Sequence, residues 1–138
     1  MITTLSGKSI THEQLKGKIT LHNFWHYQCK PYLAEMDALE DIYNEFKDDP
    51  DFQFLSFSSD SPNIIKNSIK KFHIPYDVSS ISEKECVRMN TVEGLPVTII
   101  TDREGKIIYC QIAGGATKEM NFKLLKPAKQ LIKESLAK

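Results

Sequence analysis

Residues 21–36 read LHNFWHYQCKPYLAEM, and the hydrophobic pattern changes period inside them. Lys18 to Trp25 (KITLHNFW) is a β-rich, nearly continuous apolar run, the pattern of a central strand covered on both faces. From Pro31 onward, Leu33, Met36, Leu39, Ile42, Tyr43 and Phe46 recur every three or four residues, with Glu35, Asp37, Glu40, Asp41 and Glu45 between them. That spacing predicts an amphipathic helix with Pro31 in its first turn, where the missing N–H removes no helical bond. Cys29 falls at the junction of strand and helix, the place where α/β folds put ligand and catalytic groups. Backbone N–H groups and the helix dipole favour an anion there, and Lys30 adds a positive charge. Position alone leaves two readings of Cys29 open, a reactive thiolate and a half-buried inert cysteine.

Working outward, the segment before the strand reads as a short strand pair around Ser6-Gly7-Lys8, then a helical turn capped by Thr11 with Gln14 three residues later. Beyond the helix, Phe52 to Ser58 (FQFLSFS) reads as a second strand, and Ser61-Pro62 opens a helix carrying Ile64, Ile65, Ile69 and Phe72. A shorter helix is expected over Ser82 to Asn90, capped by Ser82 with Glu85. Gly94-Leu95-Pro96 then leads into the strand Val97 to Thr101, and Asp102-Arg103-Glu104-Gly105 turns it into a hairpin with Lys106 to Ile112. After a break at Gly114-Gly115, a last helix is expected from Pro127, in its first turn, through Leu136. The lysines at 123, 126, 129, 133 and 138 read as a solvated helix face. This order implies an α/β fold of three layers with a mixed sheet, in one domain: residues 1–17 as a lead-in and 18–138 as the core.

Composition excludes several classes. The chain has 138 residues, 41% of them hydrophobic, enough for one core. Eighteen Lys and Arg balance eighteen Asp and Glu, so no net charge draws it to nucleic acid. No apolar run approaches the roughly 18 residues of a membrane span, and no membrane insertion is expected. Met1-Ile2-Thr3-Thr4 lacks the regions of a signal peptide, so the bare chain reads as cytoplasmic. The three cysteines, spaced by 57 and 24 residues, form neither a zinc framework nor a paired disulfide set. His26 with Cys29 supplies two metal ligands at most, so no metal and no cofactor is expected.

The segment 21–36 resembles the active-site stretch of thioredoxin-like proteins of the TlpA/ResA type. These have a strand ending in Phe-Trp, then Cys-x-x-Cys with Pro in third position, and a Glu on the following helix. Phe24, Trp25, Cys29, Pro31, Glu35 and Met36 fall on those positions. Leu15-Lys16-Gly17-Lys18 and the stretch from Gly94 to Lys106 are similar to the same family's lead-in and its cis-proline strand with hairpin. The resemblance implies a thioredoxin fold and thiol-disulfide exchange with protein or small-molecule thiols and disulfides. It makes Cys29 the nucleophile and Glu35 an aid to proton transfer. Trp25, Lys30, Pro31, Tyr32, Leu95 and a cis Pro96 would make up the motif and the groove for an extended peptide. It also implies work outside the cytoplasmic membrane, which requires a leader.

One departure limits the carry-over. Tyr32 stands where the family has its resolving cysteine, and a phenol cannot attack a mixed disulfide. Gln28 also replaces the Trp common before the first cysteine. The expectation is therefore a monothiol protein acting through Cys29, resolved by an external thiol or by Cys86, while Cys110 is expected to be buried as a small hydrophobe. Two alternatives accompany it: a redox-inactive domain holding an extended peptide beside Pro96 by strand addition, and a peroxiredoxin-like thiol peroxidase. The second is opposed by His26, where peroxiredoxins have Thr. It is opposed too by Arg88 and Arg103, neither evidently beside Cys29. The oligomeric state is not legible.

Overall fold

The structure is a computed structural model that describes residues 2–26, 30–90, 97–112 and 117–138. Its elements are β1 (Ile2–Thr3), β2 (Ser9–Ile10), α1 (His12–Leu15), β3 (Ile19–Trp25), α2 (Lys30–Phe46), β4 (Phe52–Ser58), α3 (Pro62–Phe72), β5 (Val78–Ser80), α4 (Glu83–Asn90), β6 (Val97–Thr101), β7 (Ile107–Ile112) and α5 (Lys118–Leu136). Five strands form one sheet in the order β5-β4-β3-β6-β7, and β1 and β2 form a small antiparallel pair. Strands β3, β4 and β5 run parallel, as strand-helix-strand crossovers require, whereas β6 and β7 run antiparallel to their inner neighbours.

Local signals set the ends of these elements. Thr11 and Gln14 form a reciprocal capping box at α1, and Ser61 accepts from the Ile64 N–H ahead of Pro62. Ser82 accepts from the Glu85 N–H at 3.0 Å. In the β6–β7 turn, Asp102 Oδ1 accepts from the N–H groups of Glu104 and Lys106, and Gly105 takes φ +83°, a value L side chains rarely adopt.

Period-two alternation sorts the sheet residues onto two faces. Leu21, Trp25 and Ile100 meet Leu39 and Ile42 of α2, Ile65 of α3, and Leu125 and Ile132 of α5 in one buried cluster. On the opposite face Phe24, Phe57, Val97 and Ile99 pack with Ile10 and with Cys86 of α4. The central strand β3 is buried along nearly its whole length, as its unbroken apolar run predicts.

Three expectations are corrected. The last helix starts at Lys118, capped by Thr117, so Pro127 lies in its interior and not in its first turn. Asn121, Leu125, Ala128 and Ile132 form a buried stripe that holds the helix together through the proline, and this packing outweighs the hydrogen bond that Pro127 cannot donate. Strand β5 was not anticipated; it is three residues long and too short for alternation to reveal. The α5 lysines are not all solvated. Lys129 Nζ lies 2.8 Å from Asp41 and 3.6 Å from Glu45 of α2; Lys118, outside that set, stays exposed while its Nζ lies 2.9 Å from Asp37. The proposed break at Gly114-Gly115 lies outside the described residues.

Candidate functional site

Strand β3 ends at Trp25, at the carboxyl edge of the parallel strands, and helix α2 begins at Lys30. Cys29, Leu95 and Pro96 lie outside the described residues. Lys30, Pro31 and Tyr32 form the first turn of α2, with Pro31 where a proline is best tolerated.

Trp25 is buried, and its indole N–H donates to Ser56 Oγ of β4 at 2.8 Å. This bond pins the last residue of β3 to its parallel neighbour just before the chain turns into the helix. Glu35 is more unusual. It is only 1% exposed and occupies the same stripe of α2 as Ala38, Leu39, Ile42 and Phe46. A carboxyl group therefore sits where the amphipathic pattern calls for an apolar side chain. Burial pushes it up from its ordinary 4.5 to about 7, and the Thr98 hydroxyl, which donates to Glu35 Oε1 at 3.3 Å, opposes the rise. Glu35 stands in the second turn of α2, and the dipole's effect falls off within the first, so dipole stabilisation does not account for it. The sequence carried the signal: Glu35 precedes Leu39 by four residues and Ile42 by seven, which puts it on the core stripe and not among the outward acids.

Around Glu35 the sheet presents a polar rung. Asn23 of β3 is paired in register with Ser56 of β4 and with Thr98 of β6, and Thr98 with Gln111 of β7. The two hydroxyls beside Asn23 are engaged, Ser56 with Trp25 and Thr98 with Glu35. Asn23 is fully buried, yet among the described residues neither Oδ1 nor Nδ2 has a hydrogen-bond partner. Each buried polar group left unpaired costs roughly 1–3 kcal/mol, so this amide is an expensive feature of the core. Tyr109 of β7 feels the same site: burial and the Glu35 carboxylate both push its phenol up.

The other sequence-selected residues lie elsewhere. Cys86 is 3% exposed in the cluster on the far face of the sheet, and burial, with Glu83 nearby, pushes its thiol up. A buried neutral thiol is a poor nucleophile. Cys110 is exposed on the edge strand β7, which corrects the expectation of a buried residue; it shares a rung with buried Ile99, but β7 ends the described sheet on that side. Arg88 pairs with Glu85 on its own helix, and Arg103 donates to Gly17 O at 2.9 Å and pairs with Asp51 at 3.4 Å. Among the described residues no group of three or more His, Cys, Asp or Glu is arranged to hold a metal ion. No described helix is long and apolar enough to cross a membrane.

Sequence reading passed over His22. It lies on the sheet face opposite Glu35, hydrogen-bonded with Thr101 Oγ1 at 3.1 Å, and burial lowers it to about 4, so it is neutral at ordinary pH.

Comparison with known proteins gives one consistent result. The model of the AhpC/TSA family matches residues 1–110. The chain is 31% identical over 127 residues to the thiol-disulfide oxidoreductase ResA of Bacillus thuringiensis subsp. konkukian (strain 97-27), covering 91% of this chain and 72% of that one. It is also 31% identical over 126 residues to the thioredoxin-like protein YneN of Bacillus subtilis (strain 168), covering 89% and 73%. A thioredoxin-family thiol:disulfide interchange protein from Chlorobium tepidum TLS superposes with TM-score 0.75 at 21% identity, over 97% of this chain and 90% of that one. StoA from Bacillus subtilis does so with TM-score 0.72 at 18% identity, over 91% and 95%. At such identities the structural matches establish the fold, a thioredoxin fold with a mixed central sheet.

Proposed function

The chain belongs to the AhpC/TSA family and, by 31% identity over 127 residues to a ResA relative, to the ResA-type thioredoxin-like proteins, and from that premise we propose that it is a thiol-disulfide oxidoreductase working as a monothiol through Cys29. The observation that carries the reading is Glu35. A buried carboxyl group held near neutrality stands on the helix that begins one residue after Cys29. Such a group can take a proton from a thiol and return it at physiological pH.

The exchange balances as follows. Glu35 accepts the Cys29 proton, and the thiolate attacks one sulfur of an external disulfide. A bond forms between Cys29 Sγ and that sulfur, the external S–S bond breaks, and the departing thiolate takes up a proton. Because Tyr32 replaces the second cysteine, a separate thiol must then attack the mixed disulfide and restore Cys29. Cys86 is buried and neutral, which favours an external thiol or small-molecule reductant in that role. In this reading Lys30, Pro31, Leu95 and Pro96 border the groove that receives the disulfide substrate, and the 138 residues act as one domain. Both arginines being engaged on other elements argues against the peroxidase alternative.

The test is the pH dependence of Cys29 alkylation in a Cys86→Ser, Cys110→Ser background, with trapping of a mixed disulfide and an insulin-reduction assay on the native chain and on Tyr32→Cys. The expected result is an alkylation midpoint below the ordinary value of about 8.5, a trapped one-to-one adduct, and multiple-turnover insulin reduction only after Tyr32→Cys. A midpoint at or above that value with no adduct would sink the monothiol reading and favour a redox-inactive domain that binds an extended peptide.

A further inference from the structure

Asn23 is a buried carboxamide that has no hydrogen-bond partner among the described residues, set in a row of residues that each have one. Its register neighbour Thr98 holds Glu35 Oε1 at 3.3 Å. Directly opposed residues on one sheet face have Cβ atoms about 5 Å apart, so the Asn23 amide and the Glu35 carboxyl flank the same hydroxyl. A water placed between them would find enough polar partners in Asn23 Oδ1, Asn23 Nδ2, Thr98 Oγ1 and the carboxyl.

We propose that Asn23 is a positioning residue for the Glu35 carboxyl: its amide reaches the carboxyl through one enclosed water and answers both protonation states. A carboxamide is suited to this because it carries both functions at one position. When Glu35 is ionised, Nδ2–H donates into the bridge and the water donates to the carboxylate. When Glu35 is protonated, the carboxylic acid donates to the water and the water donates to Oδ1. No covalent bond changes; one proton enters or leaves Glu35, and the bridge reverses its polarity.

A bridging water would account for a buried core amide that the described residues leave unpaired. The proposal rests on the reading of Glu35 as the proton site of the exchange reaction. Helices α2 and α5 carry many charged groups, several of them paired across the two helices, as Asp41 and Glu45 are with Lys129. Tyr109 of β7 lies close enough to respond to the charge of Glu35, whereas Asp37 of α2 and Lys118 of α5 pair with each other at the exposed surface. On β3, His22 faces the other side of the sheet.

The test is titration of Glu35 itself, by carbon NMR of its carboxyl or by the infrared band of the protonated acid, in the full native chain and in Asn23→Leu, Asn23→Ala and Asn23→Ser. Polar neighbours favour a carboxylate more than a neutral acid. Leu and Ala should therefore raise the Glu35 midpoint by about one pH unit, a tenfold change in proton affinity, and Ser, whose hydroxyl both donates and accepts, should bring it back toward the native value. Circular dichroism establishes that each variant is folded; if Leu does not fold, Ala against Ser is the deciding pair. Equal midpoints in folded native, Ala and Ser proteins would overturn the proposal, because a residue that only fills space would change stability without moving the titration. An inert Cys29 in the alkylation experiment would end the exchange reading while leaving this result unchanged.

Discussion

Thr98, the second residue of β6, donates its hydroxyl to Glu35 in the second turn of α2 at 3.3 Å, a bond that joins the sheet to the helix over a separation of 63 residues. It is the described hydrogen bond to a carboxyl that burial has pushed to about 7. Thr98→Val keeps the shape and removes the donor. The Glu35 midpoint should rise above its native position by up to about one pH unit, read by NMR titration. An unchanged midpoint would mean that the hydroxyl contributes nothing to the ionised state.

Glu35 also makes stability depend on pH. Its folded value, about 7, lies above its ordinary 4.5, so the native state binds more protons between those limits and stability falls as pH rises through them. The contribution is fully present below pH 4.5 and lost above 7. At about 1.4 kcal/mol per unit it amounts to roughly 3 kcal/mol. Urea denaturation across that range should show this decline in the native chain and a flatter profile in Glu35→Gln. Parallel profiles would exclude Glu35 as the source.

His22 acts in the opposite sense. Burial lowers it from 6.5 to about 4, so its contribution is present above pH 6.5 and lost as pH falls through 4. His22→Gln, which keeps a hydrogen-bonding group for Thr101, should remove part of the acid-side loss and leave stability above pH 7 changed only by packing. Denaturation midpoints measured at pH 4 and pH 7.5 decide it; an acid-side loss as steep in the variant as in the native chain would rule His22 out.

Pro127 interrupts α5 while its side chain is exposed. Pro127→Ala restores the N–H that can bond the Lys123 carbonyl and loses little packing. An interior proline costs about 3 kcal/mol relative to alanine, and relaxation of the helix around it recovers part of that. A gain of about 1–2 kcal/mol in thermal or chemical unfolding is expected. A loss would show that the proline's backbone geometry is needed there to seat Leu125 and Ile132.

Lys129 bridges Asp41 and Glu45 from a half-exposed position. Solvent-screened pairs contribute little, so Lys129→Met should cost less than about 1 kcal/mol and the difference should shrink at high salt. A larger, salt-independent loss would mean that the aliphatic stem, and not the charge, does the holding.

Much of this protein was legible in its sequence because the governing interactions are local. The run from Lys18 to Trp25, the helical spacing after Pro31, the caps at Thr11, Ser61 and Ser82, and the Asp102–Gly105 turn depend on residues within a few positions of one another, and the structure bears them out. The motif 21–36 likewise identified the family that the comparisons establish. Where the sequence reading failed, the deciding contact was distant. Whether a helix continues through Pro127 depends on what its apolar stripe packs against. Whether Cys110 is covered depends on β7 being an edge strand, and whether Lys129 is solvated depends on α2 lying beside α5.

The candidate site divides the same way. Cys29, Pro31, Tyr32 and Glu35 are picked out by their spacing, and that Tyr32 leaves the motif without a second cysteine is visible in the sequence alone. The surroundings of Glu35 are not. Its shift toward neutrality comes from desolvation, a property of everything packed around it, and its partner Thr98, with Asn23 opposite Thr98 in register, comes from strands that meet only in the folded sheet. Sequence fixes which groups exist and how far apart they stand along the chain; the tertiary structure decides how much water each one keeps, and that sets its chemistry.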